Sequence, residues 1–199
     1  WIRSGHWTDG WQSDLLLGTD ISQATIGIVG LGPIGEAVVT RLKGFGCRVL
    51  TWNRTPKQVP GAEPVALDAL FAQSDMVSLH TALTQETTHI ASRARLASMP
   101  SGSSLINTGR GLLVDEAALI DEVQSGRLKA GLDVFVNEPL PVDHPFKRLD
   151  NVVLLPHVGS ATAATRDAMV ARAFDNLHAG LAGHRVPFCA NPEVYEVEG

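Results

Sequence analysis

Three closely spaced glycines, set between an apolar run and a helical pattern, constrain the fold of this chain more than any other feature. Residues 25–30 are mostly apolar and include β-branched side chains, which is typical of a buried strand. From 33 to 45 apolar residues recur at helical spacing, until glycines end the pattern. The glycines in Gly30-Leu-Gly32-Pro-Ile-Gly35 therefore lie in a turn that leads from a strand directly into a helix.

The same alternation continues along the chain. Further strands are predicted at 48–52, 76–80, 104–107, 129–134 and 152–155, and further helices at 67–72, 92–98 and 115–125. Strands that are separated by single helices form βαβ units, and repeated units build a parallel sheet with helices on both faces. We therefore expect an α/β fold with a doubly wound parallel sheet, of the Rossmann-like kind that binds dinucleotides.

The sheet domain is expected at 21–160, between an N-terminal arm and linker at 1–20 and a C-terminal part at 161–199. Ser160 is a suitable N-cap for a return helix that runs to about Gly183. The tail at 186–199 is expected to be irregular or edge-like. Apolar residues form one stripe on the return helix: Val170, Ala173, Phe174, Leu177 and Leu181.

The N-terminal arm contains three of the four tryptophans, Trp1, Trp7 and Trp11. Large amphipathic rings on a short polar segment are costly in water unless they meet a partner surface. We expect this arm to pack on another subunit, which favours a homodimer, or on a domain outside this chain. The alternative is a disordered chain end.

The composition argues against several classes of protein. A net charge of −5 does not provide the basic surface that binds nucleic acid or anionic membranes. No signal-peptide pattern opens the chain and no run of about 18 apolar residues occurs, so we expect a cytoplasmic protein with no membrane partner. The two cysteines, Cys47 and Cys189, are too few for a disulfide framework or a metal cluster, and no other metal site is expected.

Each residue of the glycine turn has a role in binding a dinucleotide. Gly30 permits the tight turn, Gly32 lets the backbone approach a pyrophosphate, and Gly35 lets the helix pack closely on the strand. The start of the helix, which includes Pro33 and Ile34, directs backbone N–H groups and a positive dipole end towards the anion. We expect these five residues to bind the cofactor. The alternative is a glycine turn in a protein that binds no nucleotide.

The end of the second strand bears on which dinucleotide binds. An NAD site has a carboxylate about 20 residues after the glycines, where it binds the ribose 2′-hydroxyl. This chain has Asn53, Arg54 and Thr55 there and no acid. Because the Arg54 guanidinium can hold a 2′-phosphate through several directed hydrogen bonds, we expect these three residues to bind NADP(H) in preference to NAD(H). The alternative is a solvated arginine and a preference for NAD(H).

Four further stretches resemble one known family. They are Ser78-Leu-His80-Thr-Ala82-Leu-Thr84, Ile106-Asn-Thr108-Gly-Arg110-Gly111, Gly131-Leu-Asp133-Val-Phe-Val-Asn-Glu138-Pro139 and Leu155-Pro-His157-Val-Gly159-Ser160. In this order they resemble the motifs of D-2-hydroxyacid dehydrogenases over about residues 5–187, although Ala82 stands where that family usually has proline. Within the family, the stretch at 155–162 and the Arg54 loop look most like the glyoxylate/hydroxypyruvate reductases.

The chemistry that this resemblance implies has a candidate residue for each of its needs. Reduction of a 2-keto acid needs a cation to hold the carboxylate, an acid to protonate the ketone oxygen, and an anion to keep that acid charged. Arg110 offers bidentate geometry, His157 is suited to proton donation because histidine titrates near neutrality, and Glu138 can stabilise the imidazolium. All three follow predicted strand ends, where ligands bind in open α/β sheets. The alternatives are a surface arginine, an exposed turn acid and a loop histidine.

The resemblance also implies further cofactor contacts. Asp133 would bind the nicotinamide carboxamide, as its family counterpart does, unless it is only an acid in a turn after a strand. For His80, a contact with the cofactor loop and simple packing are equally good explanations. The expected contacts are completed by Thr108, Arg110, His157 and Gly159. His144, in an Asp-His-Pro sequence, is expected to be a solvated loop residue.

Together these residues predict NADPH-dependent reduction of a small 2-keto acid, glyoxylate or hydroxypyruvate, to the D-2-hydroxy acid. Two alternatives stay open: a related dehydrogenase that acts on D-lactate or a larger 2-keto acid, and a non-catalytic dinucleotide-binding module. In the family, the substrate domain combines a long N-terminal segment with the C-terminal end of the chain. We expect that N-terminal segment to be absent here and the chain alone to be poorly active.

Overall fold

The computed structural model describes residues 1–196, which fall into two compact units. The first unit, Trp1–His157, contains the sheet, and the second, Val158–Gly199, contains the longest helix. Among the described residues, no helix is both long and apolar enough to cross a membrane. The same part of the chain has no group of three or more His, Cys, Asp or Glu side chains placed to hold a metal ion.

Seven parallel strands form one sheet in the order β3-β2-β1-β4-β5-β6-β7. They are β1 (Thr25–Val29), β2 (Arg48–Trp52), β3 (Glu63–Pro64), β4 (Met76–Leu79), β5 (Ser104–Asn107), β6 (Lys129–Leu132) and β7 (Val152–Leu154). The strand order reverses at β1, which pairs with β2 on one side and β4 on the other. The predicted doubly wound α/β fold is therefore confirmed, and the reversal creates a crevice at the carboxyl end of β1.

The helices begin at residues that suit a helix start. They are α1 (Pro33–Leu42), α2 (Leu67–Gln73), α3 (Arg93–Ser98) and α4 (Glu116–Gln124) in the first unit and α5 (Ala163–Leu181) in the second. Pro33 occupies the first turn of α1, and the side chains of Ser92 and Asp115 accept backbone hydrogen bonds at the starts of α3 and α4. Short 3-10 helices lie at Ile21–Gln23, Lys43–Phe45, Gly111–Leu113, Pro145–Arg148 and Pro192–Tyr195.

Apolar side chains cover both faces of the sheet. Successive residues of a strand point to opposite faces, and neighbours in β1 and β2 accordingly belong to different clusters. Ile28 and Val49 lie in one buried cluster, whereas Val29 and Leu50 lie in the other. Burial on both faces explains why the strands are nearly continuous apolar runs in the sequence.

Predicted and observed strands agree closely. β2 and β5 have the predicted bounds, and the other four predicted strands end one or two residues early. The exception is β3, which was not predicted: it has two exposed residues, Glu63 and Pro64, that pair with Leu50 and Thr51 at one edge of the sheet. So short an exposed strand leaves no apolar pattern, and proline is tolerated at an edge because no ladder hydrogen bond is lost there.

His144 is not the solvated loop residue that was expected. Its side chain is only 12% exposed and its Nε2 lies 3.3 Å from Glu116 Oε1 in the first turn of α4. Its Nδ1 accepts a hydrogen bond from the Phe146 N–H, which caps the 3-10 helix Pro145–Arg148. The prediction was wrong because Glu116 is 28 residues away in the chain and becomes a neighbour of His144 only in the folded structure.

In the second unit, α5 begins two residues later than the Ser160 cap implied. The Thr162 N–H donates to the Ser160 carbonyl oxygen in a preceding turn, so Ser160 lies outside the helix. The N-cap is Thr162, whose side chain accepts a hydrogen bond from the Thr165 N–H. The predicted apolar stripe is present on the helix, and its large side chains are all exposed: Val170, Phe174, Leu177 and Leu181.

The tail after α5 folds back within the second unit. The side-chain amide of Asn176 makes two hydrogen bonds with the backbone of Phe188, and the guanidinium of Arg172 stacks over the Phe188 ring at 4.8 Å. Residues 186–196 are irregular apart from the 3-10 helix Pro192–Tyr195, as predicted. The rest of the predicted tail, 197–199, lies outside the described residues.

The first twenty residues form turns rather than helices or strands. The rings of Trp1 and Trp11 are 54% and 87% exposed, and Trp7 is also exposed. The arm therefore presents a large apolar surface.

The corrected N-cap leads to a prediction about the start of α5. Thr162→Ala should destabilise the first turn by about 1 kcal/mol, because the Thr165 N–H loses its side-chain acceptor. Hydrogen exchange of the amides at 165–167 should therefore accelerate. Ser160→Ala is the matched control and should leave these rates unchanged. Equal effects of the two substitutions would contradict the assignment of the cap.

Candidate active site

Glu138 and His157 form a hydrogen-bonded pair in the loops that follow β6 and β7. His157 has a positive φ of 55°, and its backbone N–H donates to the Asp133 carbonyl oxygen at 2.9 Å. This bond holds the residue beside the loop after β6. Its Nδ1 lies 2.7 Å from Glu138 Oε2. The pair therefore leaves Nε2 as the ring nitrogen that can exchange a proton with a ligand.

Glu138 is held in its charged form. The hydrogen bond with His157, a hydrogen bond from the Phe135 N–H at 3.0 Å, and the nearby charges of His157 and Arg110 hold the pKa of Glu138 below its ordinary value. A carboxylate that stays ionised at neutral pH stabilises a positive charge on the neighbouring imidazole. The charged carboxylate is thus held directly against the His157 ring.

A close approach between two backbone segments brings Arg110 to this pair. Arg110 lies in the turn after β5, where its side chain is exposed and donates to the Gly109 carbonyl oxygen at 2.6 Å. The next residue, Gly111, packs so tightly on the backbone of Phe135 that a Cβ would collide with it. The turn after β5 and the loop after β6 are adjacent for this reason, and the charge of Arg110 acts on Glu138.

Asn107 shapes the turn that carries Arg110. It is the last residue of β5 and is buried. Its Oδ1 accepts from the Gly109 N–H at 3.0 Å, and its Nδ2 donates to the Arg110 carbonyl oxygen at 2.9 Å. In the sequence, this residue was identified only as part of a motif. The sequence feature that could have indicated its role is an asparagine at the end of an apolar strand, where a side-chain amide can organise a turn.

The glycine turn has the shape of an anion cradle. Gly30 has a φ of 100°, and a Cβ on Gly35 would collide with the Gly30 carbonyl oxygen, so α1 begins directly against the end of β1. A Cβ on Gly32 would meet nothing within 4 Å, so this backbone is open to a ligand. Pro33 and Ile34 are exposed in the first turn of α1. An open, glycine-lined helix N-terminus fits a pyrophosphate.

Asn53 connects the glycine turn to the loop after β2. Its Oδ1 accepts from the Leu31 N–H at 3.0 Å, and its Nδ2 donates to the Thr55 carbonyl oxygen at 2.8 Å. Arg54 is exposed and forms an ion pair with Glu86, with 3.0 Å between Nη1 and Oε2. Asn53 thus organises the backbone, whereas the Arg54 guanidinium already holds an anionic group.

Lys57 is a second cation at this place, and it was not among the residues predicted from the sequence. Its Nζ donates to the Leu31 carbonyl oxygen at 3.3 Å and pairs with the carboxylate of Glu36 in α1. The lysine therefore holds the loop after β2 against the glycine turn. The sequence feature that could have indicated Lys57 is its place in the run Asn53-Arg-Thr-Pro-Lys57.

His80 packs against the glycine turn. A Cβ on Gly30 would meet the backbone of His80 and Thr81 at 2.8 Å, and His80 Nε2 lies 2.9 Å from Ser78 Oγ. Burial lowers the pKa of His80, because desolvation disfavours the charged form of its ring. These contacts place His80 against the glycine turn, and its contact with a bound cofactor stays a prediction.

The remaining candidates are distributed over both units. Asp133 is buried directly after β6, and its backbone N–H donates to the Asn107 carbonyl oxygen at 3.0 Å. Thr108 is exposed in the turn after β5. Gly159 belongs to the second unit, and its contact with a cofactor stays a prediction.

Comparison with known families agrees with the resemblance noted in the sequence. A family model described as the NAD binding domain of D-isomer specific 2-hydroxyacid dehydrogenases matches residues 1–159. The chain belongs to this family. Its glycine turn and its Arg110, Glu138 and His157 loops lie within the matched residues.

Similar proteins cover nearly all of this dehydrogenase-family chain. Glyoxylate/hydroxypyruvate reductase B of Pectobacterium carotovorum subsp. carotovorum is 47% identical over 97% of the chain and 62% of the relative. The TT0316 protein from Thermus thermophilus is 46% identical, with a TM-score of 0.89, over 94% of this chain and 59% of that one. The chain therefore spans about three fifths of the length of these relatives.

A solved family member carries a nicotinamide cofactor. It is a D-isomer specific 2-hydroxyacid dehydrogenase from Xanthobacter autotrophicus Py2 in complex with NADPH and MES. It is 34% identical, with a TM-score of 0.78, over 97% of this chain and 78% of that one. The family to which this chain belongs is itself described as an NAD binding domain.

A cavity of about 350 Å³ opens beside the His157–Glu138 pair of the dehydrogenase-family chain. Its apolar walls include Leu140, Leu154 and Leu155, and its polar side chains are those of the pair and of Lys147. A small organic acid could therefore place carbon atoms against the leucines while its polar atoms face the histidine.

The carboxylate–histidine pair leads to a prediction about pH dependence. We expect His157 to act as a proton donor, and the negative charge of Glu138 lies against its ring. Glu138→Gln removes that charge, so the ring loses its ionic partner. The fall in reduction rate at alkaline pH should therefore move to lower pH, with partial activity retained, in a pH–rate profile of the protein that carries this chain.

Glu63→Gln is the control for this experiment, because it removes an exposed carboxylate at the other side of the sheet. It should leave the alkaline limb of the profile in place. An unchanged profile in Glu138→Gln would mean that the carboxylate does not support the proton donor.

Proposed function

We propose that the protein carrying this chain reduces a small 2-keto acid, glyoxylate or hydroxypyruvate, to the D-2-hydroxy acid with NADPH. The observation that carries the proposal is the Glu138–His157 hydrogen bond of 2.7 Å, with the charge of Arg110 close enough to act on it. These groups lie at the carboxyl edge of the parallel sheet, as does the open glycine turn. The name and the similarity of the Pectobacterium relative support this choice of substrate.

Each residue has one step to perform. Arg110 binds the substrate carboxylate and so orients the keto group. His157 donates a proton from Nε2 to the ketone oxygen as the carbonyl carbon is reduced, and Glu138 keeps the imidazolium charged until then. When it is bound, the reduced nicotinamide supplies the hydride to that carbon. One hydride and one proton convert the ketone to the alcohol.

The residues around the glycine turn fit a dinucleotide. Gly32 leaves the backbone at the N-terminus of α1 uncovered, and the pyrophosphate would lie there. Asn53 and Lys57 both bond to the backbone of Leu31, which positions the loop after β2 beside the turn. Thr108 and Asp133, at the ends of β5 and β6, are the groups we assign to the nicotinamide end.

The loop after β2 supports the preference for NADPH. It carries no acid that could accept a hydrogen bond from a ribose 2′-hydroxyl, and it carries Arg54, Thr55 and Lys57. The Arg54 guanidinium is exposed and already pairs with a carboxylate, so an anion can reach it. A 2′-phosphate brings more charge and more acceptors than that carboxylate does.

We further propose a homodimer and a cytoplasmic location. The exposed tryptophans of the arm are costly in water without a partner surface, and free cysteines suit a reducing compartment. Light scattering should therefore report a mass of about twice the monomer at micromolar concentration. A monomeric mass for the protein that carries this chain would contradict the dimer.

The proton donor is tested by His157→Asn. Asparagine has no transferable proton but tolerates the positive φ at this position. We expect kcat for hydroxypyruvate to fall on the order of 10² to 10⁴-fold, with little change in the Kd for NADPH. The control is His89→Asn, which also has a positive φ and should keep normal kcat. A near-normal kcat for His157→Asn would refute the mechanism.

The cofactor preference is tested by Arg54→Ala. We expect NADPH to bind several-fold more tightly than NADH, and the substitution to remove most of that difference by weakening NADPH alone. Fluorescence titration of both cofactors measures the two dissociation constants. Equal constants in the unmodified protein would exclude the preference, whatever the substitution does.

A further inference from the structure

The ion pair between Arg54 and Glu86 spans the crevice where the strand order reverses. Arg54 lies in the loop after β2 and Glu86 in the loop after β4, 32 residues apart in the chain. β2 and β4 are the two neighbours of β1 in the sheet, and the glycine turn follows β1. The pair therefore connects the two loops that border the cofactor turn.

The turn that carries Glu86 is rigid. Thr87 is buried, and its hydroxyl donates to the Ala82 carbonyl oxygen at 2.7 Å while accepting from the Thr84 N–H at 2.7 Å. The Thr88 hydroxyl donates to the Thr84 carbonyl oxygen at 2.8 Å. Glu86 is thus presented to Arg54 from a turn held by several hydrogen bonds, and its side chain is exposed.

Arg54 is presented from a similarly organised backbone. Asn53 holds the loop at both the Leu31 N–H and the Thr55 carbonyl oxygen. The two charged side chains themselves are 69% and 71% exposed. A pair this exposed contributes little to folding stability, because water and salt screen it. Because the pair lies at the crevice where the cofactor is proposed to bind, its position suggests a role in cofactor binding.

We propose that Glu86 is a specificity-determining residue that lowers the preference of this site for NADPH over NADH. The inference rests on the proposed contact between Arg54 and the 2′-phosphate. When NADPH binds, its phosphate must displace the Glu86 carboxylate from the guanidinium, and the displaced carboxylate remains nearby as a like charge. NADH has no 2′-phosphate, so Arg54 keeps its ion pair with Glu86 when NADH binds. Glu86 therefore weakens the binding of NADPH and not that of NADH.

Glu86→Gln tests this inference in the protein that carries the chain. It removes the competing charge and keeps the shape of the side chain. Fluorescence titration at fixed ionic strength should give a Kd for NADPH that falls about three- to five-fold, while the Kd for NADH changes less than about two-fold. The difference should shrink as salt is raised, because the competition is electrostatic.

The control is Asp121→Asn. Asp121 belongs to an ion pair of comparable exposure with Arg93, on helices away from the glycine turn, and loses the same charge. Neither dissociation constant should change. A second test combines Glu86→Gln with Arg54→Ala, where the effect of Glu86→Gln on NADPH should largely vanish because the residue acts through Arg54.

Two outcomes would overturn the inference. If Arg54→Ala weakens NADPH but Glu86→Gln leaves the ratio of the two dissociation constants unchanged, Glu86 has no part in selectivity, and the proposed cofactor preference still stands. If Arg54→Ala has no effect on NADPH, both the preference and the role of Glu86 are refuted, since no guanidinium contact remains for Glu86 to compete with.

Discussion

Contact of backbone with backbone at glycine is the constraint on which the rest of the site depends. A side chain at Gly35 would collide with the carbonyl oxygen of Gly30 and separate α1 from the end of β1. A side chain at Gly111 would collide with the backbone of Phe135 and separate the Arg110 turn from the Glu138 loop. The first contact shapes the turn proposed to bind the pyrophosphate, and the second brings together the charges of the proposed catalytic site. Both are possible only because glycine has no Cβ.

The charges of the site are supplied by different loops, and the side chains of two asparagines hold those loops in shape. Asn107, which is buried, shapes the turn that carries Arg110. Asn53 does the same for Arg54 by bonding to the glycine turn. The charged ends themselves are exposed, where their mutual attraction is screened and easily exchanged for a ligand. A rigid backbone with exchangeable ion pairs is suited to a site that must bind and release anions.

Much of the fold was predictable because its strands are short and buried on both faces. Such strands leave apolar runs that a sequence displays directly, and β2 and β5 accordingly have the predicted bounds. The prediction failed where a neighbour supplies the partner. β3 forms only because it lies beside β2. The N-cap of α5 is Thr162 rather than the predicted Ser160, because a turn at Ser160 precedes the helix. His144 was misjudged because Glu116 lies far away in the sequence but close in space.

The sequence by itself determined the order of strands and helices, the glycine turn, and the residue types that the proposed chemistry requires. These are local properties, since periodicity, turn residues and side-chain chemistry are all written along the chain. Only the tertiary structure decided which of those residues meet. Glu138 and His157 are 19 residues apart, and Arg54 and Glu86 are 32 apart. Their contacts follow from the strand order in the sheet, because it is the neighbouring strands, and not the neighbouring segments of sequence, that bring loops together at one edge.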